Sequence, residues 1–149
     1  MSATDRAPFH VRLFSPILER LVRIGVPLGF NGTLTIRGRK TGEPRTTTLA
    51  IIEDRGRRWV WAPWGEVNWV RNLRAAGRAI VTKRKERDEV EARELTPTER
   101  VGFFRDVVGP VARRYPGGVT FIRLIDGVDL NDPVEAANGR PVFELRSAR

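Results

Sequence analysis

Residues 33–62 comprise three short stretches rich in Thr, Val, Ile and Trp, separated by turns that contain glycine. Residues 33–37 (TLTIR), 45–53 (RTTTLAIIE) and 58–62 (RWVWA) have the β-branched and aromatic content of strands. The link Asp54-Arg55-Gly56-Arg57 has the length and composition of a hairpin loop. Strands joined by such tight turns run antiparallel. Two further strands, residues 79–83 and 89–95, flank a polar turn, and residues 141–145 (PVFEL) read as a last strand.

Helices punctuate this pattern. Phe14, Ile17, Leu18, Leu21 and Val22 recur at helical spacing within residues 9–28, with Arg12, Glu19, Arg20 and Arg23 on other faces, until Pro27 and Gly29 end the segment. Such a helix packs on the domain or lies on anionic lipid. A short helix over 67–76 ends at Gly77. Thr96-Pro97-Thr98-Glu99 starts another, with Thr96 as N-cap and Glu99 closing a capping box, and Gly109-Pro110 is expected to break it after about Val108. Residues 113–132 show no readable pattern. The order of elements predicts one α+β domain over residues 1–149, dominated by an antiparallel sheet or barrel.

Composition narrows the chemistry. The chain has no cysteine, which removes disulfides, thiolate metal sites and thiol nucleophiles together. Its one histidine, His10, lies near the N-terminus, a poor basis for a Ser–His–Asp triad or a metal site. An enzyme of this composition takes its hard chemistry from a cofactor. The formal net charge of +9 calls for an anionic partner. The N-terminus lacks a signal-peptide pattern and no apolar run spans a membrane, so a cytoplasmic protein is expected, at most peripheral to the inner membrane face. Neither a helix-turn-helix, a zinc finger nor an RNP-like strand is present, so specific nucleic-acid binding is not expected.

Two constellations carry chemistry. Arg37-Gly38-Arg39-Lys40-Thr41-Gly42-Glu43-Pro44-Arg45 is a turn between strands, with two glycines exposing backbone N–H groups and cations around them. Backbone donors, a hydroxyl and guanidinium groups on one loop suit a phosphate or carboxylate, and their spacing is not that of an ATP-binding loop. Solvation alone also accounts for such a turn. The second constellation is Ala62-Pro63-Trp64-Gly65 followed by Asn68-Trp69-Val70-Arg71-Asn72. Trp69 and Asn72 share a helix face, as do Asn68 and Asn72, and an aromatic beside amides suits a flat heterocycle with polar edges. The bland alternative is core tryptophans with asparagine caps.

Together, GRKTGEPRTT, a strand ending in Ala-Pro-Trp-Gly, and NWVRNLRAAG resemble the deazaflavin-dependent nitroreductase family of actinobacteria. The likeness is close from about Leu34 to Leu95 and faint after Gly109. It implies a split β-barrel with an N-terminal and flanking helices, and the deazaflavin coenzyme F-420 with its anionic phosphate and glutamate tail. By this resemblance Arg39, Lys40, Thr41 and Arg45 hold the phosphate and tail, while Ala62, Gly65, Trp69 and Asn72 lie against the ring. The implied activity is hydride transfer to a small hydrophobic, electron-poor acceptor, a quinone or activated double bond. The proton comes from Tyr115 or water. This chain departs from the nitro-reducing members in having a single tyrosine, Tyr115, and in Ala50 where an aromatic is expected, so nitroimidazole reduction is not carried over. The alternatives are a coenzyme carrier without turnover, or the same barrel holding FMN or haem. The partners expected are a small hydrophobic substrate, an anionic membrane through the N-terminal helix, and a second copy in a homodimer.

The remaining charged clusters read as solvated. Asp126, Asp129, Asp132 and Glu135 lack the order of a calcium loop. Lys83-Arg84-Lys85-Glu86-Arg87 sits at an expected hairpin tip with few aromatics between its cations.

Overall fold

A computed structural model describes residues 31–148 of the protein. The helix expected over residues 9–28 lies outside the described residues. Seven strands, β1 (Asn31–Arg37), β2 (Pro44–Ala50), β3 (Ile52–Asp54), β4 (Arg57–Trp61), β5 (Arg78–Lys83), β6 (Glu86–Glu94) and β7 (Val142–Ser147), form one sheet. Every pairing is antiparallel, in the order β2-β1-β5-β6-β7-β4-β3. The two edge strands, β2 and β3, are neighbours in sequence, joined through the buried Ile51 alone. A sheet whose first and last strands belong to one covalent stretch must curl until its edges approach each other. The result is a split β-barrel, and the expected strand over 45–53 is two strands bent at Ile51.

Alternation along the strands divides the apolar residues between two cores. Val60 of β4 pairs with Phe143 and faces the barrel interior, with Leu34, Ile36, Val81, Val90 and Leu145. Helix α1 (Asn68–Ala76) adds Val70 and Leu73 to that interior, and Gly77 ends it in the left-handed region at φ 69°. Trp59 and Trp61 face outward and are covered by α2 (Pro97–Phe103) and the helices after it. The capping box forms: Thr96 Oγ1 accepts from the Glu99 N–H at 3.2 Å and Glu99 Oε1 accepts from the Thr96 N–H at 2.9 Å.

Gly109-Pro110 does not break this helix. The chain continues through one π-helical turn, Phe104–Val108, into α3 (Gly109–Arg113). Pro110 has no N–H to offer the Asp106 carbonyl, and the Gly109 N–H instead reaches back five residues to Phe104. The aromatic cluster of the outer core sits where that turn begins, with Trp61 5.1 Å from Phe104 and Trp59 5.6 Å from Phe103, ring centre to centre. The unreadable region contains α4 (Gly118–Asp126), and α5 (Pro133–Ala137) follows. Two of the clustered acids serve the backbone there: Asp132 caps α5 by accepting from the Glu135 N–H at 3.2 Å, and Asp129 accepts from Asn131 at 3.0 Å. The basic run at 83–87 is a hairpin tip, with Arg84 and Lys85 exposed and both at positive φ.

Candidate coenzyme site

The basic loop after β1 is closed by its own backbone. The Gly38 N–H donates to the Glu43 carbonyl at 2.8 Å and the Gly42 N–H to the Gly38 carbonyl at 2.9 Å. Both glycines are required by this shape: a Cβ on Gly38 would meet the Glu43 oxygen at 3.0 Å, and Gly42 has φ +75°. Thr41 Oγ1 accepts from the Glu43 N–H at 3.3 Å, which leaves its hydroxyl hydrogen to donate outward. Among the described residues, the N–H groups of Lys40 and Thr41 make no hydrogen bond. Lys40, Thr41 and Arg45 are exposed, and the Arg45 stem passes 3.7 Å from the Gly38 Cβ position. Arg37, which the sequence reading left outside the site, places its guanidinium 3.5 Å from the Gly42 Cβ position. Unused N–H donors, a free hydroxyl hydrogen and cations at one loop form a cradle for a phosphate or carboxylate.

Arg39 ties this cradle to α1. Its backbone N–H and its Nη1 both donate to Asn72 Oδ1, at 3.1 and 2.8 Å. Asn72 is buried, one helical turn after Trp69, which packs half-buried on the interior core with its ring 6.3 Å from Phe143. Sequence spacing placed Trp69 and Asn72 on one face; only the fold brings Arg39 there. Arg74 fixes the other end of α1 through a two-pronged bond to Glu94 of β6 at 2.7 and 2.8 Å, and a 3.1 Å ion pair with Glu66.

The turn at Ala62-Pro63-Trp64-Gly65 enters α1 from the other side. The Gly65 N–H reaches the Ala62 carbonyl at 3.3 Å, and the Gly65 carbonyl accepts from Val67 at 2.9 Å at the start of the helix. Gly65 is buried at φ +88°, a conformation that side-chain-bearing residues rarely adopt. Ala62 is buried with the interior core, Trp61 is a core residue of the outer cluster, and Trp64 is half-buried. A cavity of about 340 Å³ opens against the turn, lined by Pro63, Trp64 and Gly65 and, from the C-terminal segment, by Glu135, Asn138 and Arg140. That volume is at the small end of ligand pockets.

Arg39 and Asn72 are therefore joined, with Lys40, Thr41 and Arg45 on the same loop as Arg39; Ala62 and Gly65 stand in the turn before α1, and Trp69 lies one helical turn before Asn72. Tyr115 is apart from these: it follows α3, is about 50% exposed, and is not among the described residues that line the cavity.

A split barrel whose basic, glycine-bounded loop is tied to one helix offers charge and backbone donors suited to a phosphate-bearing coenzyme. The chain belongs to the F-420H(2)-dependent quinone reductase family, whose model matches residues 16–118. It is an oxidoreductase that uses reduced coenzyme F-420, and the loop's donors fit that coenzyme's anionic groups. Solved structures share the fold. The F-420H2-dependent reductase FDR-A is 20% identical over 79% of this chain and 95% of its own, with a TM-score of 0.52. A domain-swapped dimer is 22% identical over 97% of this chain and 100% of its own, at 0.54. Rv2991 of Mycobacterium tuberculosis is 18% identical over 88% of this chain and 81% of its own, at 0.53.

Proposed function

We propose that this protein is one F-420-dependent domain that reduces a small hydrophobic, electron-poor acceptor, a quinone or an activated double bond. Lys40, Thr41 and Arg45 bind the coenzyme's phosphate and the start of its acidic tail. Arg39 shares that work and anchors the loop. Ala62, Gly65, Trp69 and Asn72 border the deazaflavin ring. The observation that carries this reading is the Arg39–Asn72 link, because it fixes the anion cradle to the same helix that the 62–65 turn enters.

When bound, reduced F-420 supplies a hydride equivalent from ring carbon C5. The chain's own contribution is orientation: a rigid turn and helix hold a ring edge in one place while the loop neutralises the tail. The acceptor's proton comes from Tyr115, which is half-exposed after α3, or from water. Tyr115→Phe separates the two: a kcat lowered about a hundredfold or more assigns the proton to Tyr115, and a kcat within about twofold of wild type assigns it to water.

Stopped-flow oxidation of the reduced coenzyme against quinones and enones tests the reading. Turnover of either class supports it, and binding without oxidation across the panel would favour a carrier. No described helix is long and apolar enough to cross a membrane. Residues 9–28 are proposed to touch anionic lipid, where hydrophobic quinones dissolve. Co-sedimentation with anionic but not neutral vesicles, lost on deleting residues before Pro27, is the expected result. A homodimer is proposed on the fold shared with the domain-swapped relative and is checked by sedimentation equilibrium.

A further inference from the structure

The turn at residues 62–65 is held by one side chain that also lines the cavity against it. Arg140 donates through Nε to the Pro63 carbonyl at 3.0 Å, through Nη1 to the Glu135 and Ala136 carbonyls at 3.1 and 3.2 Å, and through Nη2 to the Gly127 carbonyl at 3.3 Å. These acceptors belong to three separate pieces of chain: the turn, α5, and the residue that caps α4. The next residue completes the grip, since the Pro141 carbonyl accepts from the Ala62 N–H at 2.9 Å. A second contact acts on the same turn. The Trp64 ring stands over Gly127, where an added Cβ would meet it at 3.2 Å, and Gly127 has φ +68°. Gly127 is thus required both by its backbone and by the tryptophan above it.

We propose that Arg140 is a positioning residue for the deazaflavin ring. By fixing the Pro63 carbonyl it sets the backbone from Ala62 to Gly65, and so the separation between the ring wall and the anion cradle. The planar guanidinium reaches carbonyls in three directions at once; a lysine ammonium keeps the charge but not that fork. The proposal rests on the reading that this turn borders the ring.

The test titrates oxidised F-420, and its ring–ribityl fragment lacking phosphate and glutamate tail, into the full chain by fluorescence anisotropy. Wild type, Arg140→Lys, Arg140→Ala, Gly65→Val and Lys40→Ala are compared, with thermal midpoints for each. Arg140→Lys is expected to fold and to weaken both ligands by the same factor, about 5- to 30-fold, the scale of a lost hydrogen bond. Lys40→Ala should weaken only the full coenzyme, which separates ring positioning from tail binding. Should Arg140→Ala not fold, Arg140→Lys and Gly127→Ala carry the comparison. Folded Arg140 variants that bind the fragment as wild type does, even with a lowered thermal midpoint, would overturn the proposal. In that event Gly65→Val decides what else falls. A weakened fragment keeps the turn at the ring, whereas unchanged binding removes the ring assignment as well.

Discussion

Asn72 Oδ1 accepts two hydrogen bonds from Arg39, one from its backbone N–H and one from its guanidinium, across 33 positions of sequence. One buried amide oxygen therefore sets where the anion cradle lies relative to α1. Asn72→Ala removes both bonds and is expected to cost about 1–3 kcal/mol of stability. It should also weaken F-420 binding by releasing the loop. Asn72→Asp keeps the acceptor and adds a negative charge beside the cradle. It is expected to keep stability within about 1 kcal/mol of wild type yet to bind the polyanionic coenzyme about tenfold more weakly or worse. Urea melts and fluorescence titrations on both variants check this divergence.

Glu144 is a buried carboxylate on β7 with Arg57 and Arg146 upon it. Burial alone would push its pKa up; hydrogen bonds and charge from the two arginines outweigh that and hold it below the usual carboxylate value. A carboxyl depressed in the folded state stabilises the fold above its unfolded pKa, and that contribution is lost as pH falls through the folded value. Glu144→Gln is expected to lose about 1–3 kcal/mol at pH 7. The difference from wild type should shrink as pH falls below about 4 in a series of urea melts.

Asp126 has the opposite sign. Burial pushes its carboxyl up to about 7 against the pull of Arg140. The folded state then holds a proton that the unfolded chain releases near pH 4, so stability falls as pH rises from about 4 to about 7 and stays low above it. Asp126→Asn should remove this slope and raise the thermal midpoint at pH 8 while changing little at pH 4. A wild-type midpoint that is flat across that window would contradict the shift.

The parts of the fold legible in sequence are those with local causes. β1, β4 and α1 announce themselves through β-branched runs, turn glycines and helical spacing, and the capping box at Thr96 and Glu99 forms as its residue types dictate. The split barrel was reached through the family resemblance rather than through local pattern, because its closure depends on β1 pairing with β5 and β6 with β7, far apart in the chain. Gly109-Pro110 misled for a physical reason: a π turn accommodates the missing N–H that ordinarily ends a helix. In the site, the cations of the Gly38 loop and the Trp69/Asn72 face could be read from spacing. Arg140 could not, since the four acceptors described for it are main-chain carbonyls, which leave no mark on the sequence.

The central claim is that the loop after β1 binds the anionic end of F-420. The most direct measurement is the coenzyme's dissociation constant by fluorescence titration for wild type, Arg39→Ala and Lys40→Ala, with FMN as a control. A charge-assisted hydrogen bond contributes about 1.5–3 kcal/mol, so each substitution should weaken F-420 about 10- to 150-fold. Thermal midpoints should barely move for Lys40→Ala, whose side chain is exposed and makes no ion pair among the described residues. FMN, with a phosphate but no glutamate tail, should bind more weakly than F-420 to wild type. Wild-type affinity for F-420 in both variants would contradict the loop assignment, and tight FMN binding without F-420 binding would contradict the coenzyme.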